Sequence, residues 1–225
     1  MKKNTKKIVT AAGIAAGALY APVKSGASLS AYVTIKALID TALDREMPKV
    51  MEKADKRISG EKSSDEFTNR MESASESLAV QPNETVEIIA HDGEKLVGHY
   101  FPCEKPERVI IAFHGWRSSW HRDFGMISDF WYKNNCSVLY VEQRGQNNSS
   151  GEYMGFGLTE RFDCLDWLNW EIERCGSDIP VYLAGVSMGA TTVLMAAGLQ
   201  LPPNVHGIMA DCGFTSANAI WEHIA

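Results

Sequence analysis

The stretch Pro180-Val181-Tyr182-Leu183-Ala184-Gly185-Val186-Ser187-Met188-Gly189 decides the fold of this chain. Its first five residues are mostly apolar and predict a buried strand, and residues 190–199 favour a helix. A G-x-S-x-G pentad between a strand and a helix is typical of a nucleophile elbow. The turn is too tight for side chains at Gly185 and Gly189. The sequence therefore predicts that Ser187 projects its hydroxyl at the carboxyl end of the strand.

Strand and helix patterns alternate around this stretch. Two alternating runs flank the turn dipeptide Asp92-Gly93 and predict an antiparallel hairpin. Near-continuous apolar runs then alternate with helical segments, which indicates a parallel sheet covered on both faces. The hairpin runs span 85–90 and 95–101, and the apolar runs span 109–113, 137–141, 181–184 and 205–210. We expect an α/β fold with a mostly parallel sheet, helices on both faces and an N-terminal antiparallel hairpin, over residues 85–225.

One of these helices has a predicted start and a predicted buried face. Thr159 is expected to be its N-cap, because a threonine hydroxyl can accept a first-turn N–H. The apolar side chains at helical spacing are expected to face the core, namely Phe162, Leu165, Leu168 and Ile172.

The N-terminal part of the chain has a different character. Four lysines precede an apolar run over 8–23, so residues 1–27 are typical of an export signal or a membrane anchor. The alternative is a small-residue helix that packs on the domain of a cytoplasmic protein. Residues 28–84 read as an amphipathic helix over 29–51, ended or kinked by Pro48, and a polar linker over 55–83.

Composition excludes several classes of function. A net charge of −6 gives no broad basic surface, so we expect no nucleic-acid partner. Five cysteines without a C-x-x-C pair argue against a disulfide framework and against a metal site. The chain also lacks G-x-G-x-x-G after its first buried strand and lacks a phosphate loop, which argues against a nucleotide-binding domain.

Acyl transfer by serine needs a hydroxyl, a base and donors for the developing oxyanion. Ser187 supplies the hydroxyl, and the backbone N–H of Met188 would be one donor at the start of a helix. The second donor is expected in a loop after an earlier strand, where Phe113-His114-Gly115-Trp116 stands. Gly115 lets the chain fold back, so that the N–H of Trp116 can point at the site.

Several motifs together resemble the α/β-hydrolase superfamily, and within it the bacterial serine aminopeptidase-like hydrolases. They are Phe113-His114-Gly115-Trp116, Glu142-Gln143-Arg144-Gly145, Gly185-Val186-Ser187-Met188-Gly189 and Asp211-Cys212-Gly213-Phe214-Thr215-Ser216. The resemblance implies a cofactor-free hydrolase of small-molecule esters, thioesters or peptides. It also implies that Ser187 is the nucleophile and that Trp116 and Met188 are the oxyanion donors. The loop 146–151 departs from the family pattern, which has a further glycine there.

The catalytic base is the element that the sequence does not supply. Hydrolases of this type place an acid and then a histidine after the serine. Asp211 is a possible acid, although it stands one strand early. His223 and His206 read as a surface or packing residue and a strand residue, and His114 as a residue that shapes the site. His91, His99 and His121 belong to no motif.

Two hypotheses follow from the missing base. In the first, the chain is a C-terminally truncated form of a serine hydrolase, and the last strands of the sheet are absent from it. In the second, it is a non-catalytic relative that acts as a binding or membrane-associated module.

Overall fold

A six-stranded sheet forms the centre of the protein in the computed structural model, which describes residues 41–46, 66–216 and 219–220. The strands lie in the order β1-β2-β4-β3-β5-β6, and they are β1 (Glu84–Ile89), β2 (Lys95–Phe101), β3 (Arg108–Phe113), β4 (Cys136–Glu142), β5 (Val181–Val186) and β6 (Val205–Asp211). Strand β2 pairs antiparallel with both β1 and β4, and the pairs formed by β4, β3, β5 and β6 are parallel. The predicted α/β fold with a leading hairpin is confirmed.

Helices cover both faces of the sheet. They are α1 (Glu66–Ala79), α2 (Trp120–Lys133), α3 (Glu160–Cys175) and α4 (Met188–Ala196). A hydrophobic core lies on each face of the sheet. Side chains of β3 alternate between these two cores, because successive residues of a strand point to opposite faces. Ile111 packs with residues of α3 and α4, whereas Ile110 packs with residues of α1 and α2. Every β3 residue after Arg108 is buried, as expected for a central parallel strand.

Helix α1 corrects the prediction of a polar linker over 55–83, which is wrong for Glu66–Ala79. Only Leu78 of this helix is buried. The helix packs by close backbone approach: a β-carbon added at Gly125 of α2 would lie 2.7 Å from the carbonyl carbon of Ala74. Such packing depends on small residues on both helices, and hydrophobic periodicity does not reveal it.

Two details of α3 differ from the prediction. Thr159 occupies the N-cap position, but its side chain makes no capping hydrogen bond. The Glu160 carboxylate instead accepts the N–H groups of Gly155 and Gly157, at 2.5 and 2.9 Å.

The buried face of α3 also differs from the predicted face, because Leu168 is the only member of the predicted face that is buried. The buried side chains are Glu160, Asp163, Cys164, Trp167, Leu168 and Glu171. The acidic side chains of Glu160 and Asp163 make polar contacts that an apolar pattern cannot predict.

Strand β6 lies at the edge of the described sheet, and this corrects the prediction that it is covered. Met209 is 40% exposed. His206 is exposed and stacks edge-on against Tyr182, with ring centroids 6.4 Å apart.

Most of the N-terminal predictions fall outside the described residues. Residues 1–27 and Pro48 lie there, and so does His223 near the other end of the chain. Of the predicted amphipathic helix over 29–51, the structure describes residues 41–46, and residues 41–43 are helical. None of the helices within the described ranges has the length and apolarity needed to span a bilayer.

Candidate active site

Ser187 occupies the sharp turn between β5 and α4. Its backbone angles, φ 53° and ψ −113°, are strained for a residue with a side chain. Two backbone hydrogen bonds hold the turn: the Ser187 N–H donates to the carbonyl of Asp211 (2.9 Å), and its carbonyl accepts the N–H of Thr191 (3.1 Å). The residue is half-buried at the carboxyl end of the parallel strands. This is where open α/β sheets bind their ligands.

The two glycines of the pentad stand where no side chain fits. A β-carbon added at Gly185 would lie 2.3 Å from the carbonyl atoms of Gly189. One added at Gly189 would lie 1.9 Å from the carbonyl oxygen of Phe113. Both distances are far below van der Waals contact, and the obstructing atoms belong to the backbone.

Residues 114–118, which we call the oxyanion loop after its predicted role, lie against this turn. A β-carbon on Gly115 would be 3.4 Å from Cβ of Ser187. The Gly115 N–H donates to Oδ2 of Asp123, and the Arg117 N–H donates to Oε1 of Gln146, both at 2.6 Å. The structure therefore brings the loop that contains Trp116 close to Ser187.

Met188, the other predicted donor, is the first residue of α4 and is fully buried. First-turn amides of a helix have no acceptor within the helix, and they lie at the positive end of its dipole. Its side chain packs with Met154 and Phe156, and partly buried Trp116 joins the same cluster. The two residues with the predicted donors thus belong to one cluster.

His114 is the first residue of the oxyanion loop, and its buried ring makes hydrogen bonds within and beyond the loop. Its Nδ1 lies 2.8 Å from the carbonyl oxygen of Gly115, so Nδ1 carries the proton. Its Nε2 accepts the N–H of Gln143 (3.3 Å) and the side-chain amide of Asn147 (3.2 Å). Burial lowers the pKa of His114, so the ring is neutral. With both ring nitrogens engaged, His114 has no nitrogen left to accept a proton from Ser187.

Gln143 connects the oxyanion loop to the helix that follows Ser187. Its side-chain amide donates to the carbonyl oxygen of His114, and its Oε1 accepts the hydroxyl of Thr192 at 2.8 Å. Gln143 belongs to the motif Glu142-Gln143-Arg144-Gly145 at the end of β4. The side chain bridges the two halves of the candidate site.

Among the described residues, neither the possible acid nor the other histidines form a hydrogen bond with the Ser187 hydroxyl. Asp211 contacts the elbow through its backbone carbonyl, and its side chain is exposed. Three histidines are hydrogen-bonded elsewhere, His91 to Asp166, His99 to Glu142 and His121 to Ser75. Within residues 41–46, 66–216 and 219–220, no histidine is hydrogen-bonded to the Ser187 hydroxyl.

One group of the described side chains has the geometry of metal ligands. Ligand atoms of His91, Asp163 and Asp166 lie within 4.8 Å of one another. The guanidinium of Arg144 already binds both carboxylate oxygens of Asp163, with its Nε 2.7 Å from Oδ2. A cation in this group would compete with a buried ion pair, so the donor set fits a metal poorly.

Three supports of the oxyanion loop were not found by sequence reasoning. Asp123 follows the loop on α2, Gln146 belongs to the loop after β4, and residues 41–46 come from the N-terminal part of the chain. No short motif contains them. The only available signal was the position of Asp123 in the first turn of a predicted helix.

Comparisons with known proteins give matches among solved structures alone. Neither a model of a known protein family nor a curated protein matches the sequence. An esterase from Pyrococcus furiosus matches with 26% identity and a TM-score of 0.52, over 61% of this chain and 52% of that one. The α/β hydrolase GrgF from Penicillium sp. sh18 matches with 22% identity and a TM-score of 0.50, over 58% of this chain and 45% of that one. The chain thus spans about half the length of these solved structures.

Proposed function

We propose that this chain, which belongs to the α/β-hydrolase superfamily, is a serine hydrolase that cleaves a carboxylic ester, thioester or amide. The observation that carries the proposal is the close approach of the oxyanion loop to the Ser187 elbow, where a β-carbon added at Gly115 would lie 3.4 Å from Cβ of Ser187. This proximity supports the proposal, because acyl transfer needs a nucleophile beside donors for the developing oxyanion. The structural similarity to an esterase supports hydrolysis. The narrower likeness to serine aminopeptidase-like hydrolases stays a prediction.

In the proposed reaction, Oγ of Ser187 attacks the substrate carbonyl carbon and its proton passes to a base. The negative charge moves to the carbonyl oxygen, where the backbone N–H groups of Trp116 and Met188 stabilise it. Collapse of this intermediate expels the alcohol, thiol or amine, which takes up the proton. Water then attacks the acyl group on Ser187 in the same way, and releases the acid and the free serine.

The base lies outside the described residues in this proposal. The neutral ring of His114 has both nitrogens engaged, and no described histidine reaches the Ser187 hydroxyl. Asp211 is proposed as the acid because it ends the strand next to the elbow. Without a histidine, a serine hydroxyl is a weak nucleophile, so the base decides whether turnover is fast.

A fluorophosphonate probe tests the proposal, because it reacts covalently with activated serines. We expect labelling of the wild-type protein at Ser187, mapped by mass spectrometry, and no labelling of the Ser187→Ala variant. The exposed Ser177 is the matched control, and the Ser177→Ala variant should label like the wild type. Labelling that persists in Ser187→Ala, or no labelling of folded wild-type protein, would overturn the proposal.

The second candidate is a non-catalytic binding module, with an anchor in residues 1–27 as a further prediction. The observation in its favour is that no described histidine contacts the Ser187 hydroxyl. Folded wild-type protein that shows a cooperative thermal transition but does not react with the probe would support this alternative. Loss of a cooperative transition would argue against it.

A further inference from the structure

Residues 41–46, which we call the strap, contact both the segment after β4 and the oxyanion loop. Their backbone pairs with the segment after β4: the Met154 N–H donates to the carbonyl of Leu43 (2.7 Å), and the Arg45 N–H donates to that of Glu152 (2.9 Å). The Arg45 guanidinium extends this docking to the loop 146–151. It donates to the carbonyl oxygens of Ser149 (2.6 Å) and Asn147 (2.7 Å).

The oxyanion loop binds the strap in return. Nε1 of Trp116 donates to the carbonyl oxygen of Ala42 at 3.1 Å. The Arg117 guanidinium donates to the carbonyls of Thr41 (3.1 Å), Asp44 (2.8 Å) and Arg45 (3.4 Å). Residues 41–43 are helical, and the last carbonyls of a helix lack intrahelical partners and carry partial negative charge. A cationic guanidinium is therefore a favourable cap for them.

Arg117 has a backbone conformation that needs such support. Its φ is 51°, in the left-handed region, which costs about 1–2 kcal/mol for a residue with a side chain. A strained residue persists only where its surroundings determine it. Gln146 holds the N–H of Arg117, and the strap holds its guanidinium. Loss of the strap contacts would therefore allow the loop to relax.

A small relaxation of this loop is enough to matter for catalysis. Gly115 stands two residues before Arg117, and a β-carbon added to it would lie 3.4 Å from Cβ of Ser187. Oxyanion donors act at 2.7–3.1 Å from the developing charge, and a misplacement of about 1 Å can cost on the order of 100-fold in rate. The donors act on the transition state more than on the bound substrate.

We propose that Arg117 is a positioning residue, which fixes the oxyanion loop by binding the strap, so that the N-terminal part of the chain completes the active site. The inference rests on the proposed function of Ser187. Undocking of the strap displaces the loop and lowers kcat, whereas KM changes little. The strap thus couples the N-terminal part of the chain to the rate of acyl transfer.

The test compares Arg117→Met, Arg117→Lys and the control Arg122→Met in the whole chain. Arg122 is an exposed residue of the neighbouring helix. With p-nitrophenyl butyrate as substrate, we expect Arg117→Met to lower kcat by about tenfold, less than the loss of a whole donor, and to leave KM within about twofold. Arg117→Lys should recover part of the loss, and Arg122→Met should behave as the wild type. Hydrogen exchange over residues 112–118 should be faster in the Arg117 variants than in the wild type and in Arg122→Met.

Arg45→Met is a second variant, because it removes strap contacts without altering the oxyanion loop itself. It should lower kcat and speed exchange over 112–118 in the same direction as Arg117→Met. It also keeps the test decisive if Arg117→Met does not fold. An unchanged kcat, a loss expressed in KM alone, or unchanged exchange in these variants would overturn the inference.

Failure of the proposed function gives a separate result. If the wild-type protein neither hydrolyses the ester nor reacts with the fluorophosphonate, the serine-hydrolase proposal fails. The exchange measurement then decides the structural part of the inference. Faster exchange in Arg117→Met and Arg45→Met supports a strap that fixes the loop, and equal exchange overturns it.

Discussion

Gly189 lies directly against the carbonyl oxygen of Phe113, and a β-carbon at Gly189 would be 1.9 Å from that oxygen. Phe113 ends β3 and leads into the oxyanion loop, whereas Gly189 is the second residue of α4. The proposed nucleophile elbow and the strand end that leads into the oxyanion loop are therefore packed backbone to backbone. Their relative position depends on the absence of a side chain at this point.

Gly189→Ala should accordingly be severely destabilising. The added carbon meets backbone atoms that cannot rotate away, so α4 or β3 must shift by more than about 1 Å. We expect a loss in the free energy of unfolding of about 3 kcal/mol or more, at the upper end of the usual cost of overpacking. Urea denaturation followed by circular dichroism measures it.

Gly198→Ala is the control for this prediction. Its nearest neighbour would be the carbonyl oxygen of Met195 at 3.3 Å, so we expect a change of about 1 kcal/mol or less. Equal stability of the Gly189→Ala and wild-type proteins would contradict the observed packing of the elbow.

His114 should make the protein sensitive to acid. Burial lowers the pKa of His114 below the ordinary histidine value of 6.5, so the unfolded chain binds a proton there before the folded chain does. The stabilisation from the neutral ring is present above pH 6.5 and is lost as the pH falls towards the lowered pKa. We expect the unfolding free energy of the wild type to fall more steeply from about pH 7 to about pH 5 than that of His114→Gln. Parallel pH dependences would contradict a buried, neutral His114.

Glu171 should change the pH dependence of stability in the opposite direction from His114. Its carboxylate is buried on α3, and neither oxygen has a partner within hydrogen-bond geometry among the described residues. Burial raises its pKa, against smaller opposing effects of the Cys175 thiol and the Arg174 charge. The folded chain therefore binds this proton more tightly than the unfolded chain. The resulting stabilisation is present below the ordinary glutamate pKa of 4.5 and is lost as the pH rises through the raised pKa.

Glu171→Gln removes this charge at nearly constant volume. We expect the variant to be more stable than the wild type at about pH 8, by about 1–3 kcal/mol, and the difference to shrink at about pH 5. The exposed Glu173→Gln should change the unfolding free energy by less than about 0.5 kcal/mol. A variant that is less stable than the wild type at the higher pH would show that the Glu171 carboxylate has a favourable partner.

The sheet could be predicted because each strand carries its own signal. The run at 109–113 corresponds to β3 and the Asp92-Gly93 turn to the hairpin, since burial on both faces requires apolar residues and a tight turn requires glycine. Helix α1 could not be predicted in this way. It packs through Ala74 and Gly125, where small residues let the two helix backbones approach closely, and hydrophobic periodicity does not reveal such packing.

The sequence by itself determined the strand–turn–helix at Ser187, because a tight turn with glycines at 185 and 189 is a local requirement. Only the tertiary structure decided how the oxyanion loop is held. Its supports lie 8 residues away at Asp123, 29 at Gln146 and 74 at Ala42. Hydrogen bonds between residues so far apart along the chain leave no periodic pattern. They form only where the folded backbone brings donor and acceptor within about 3 Å.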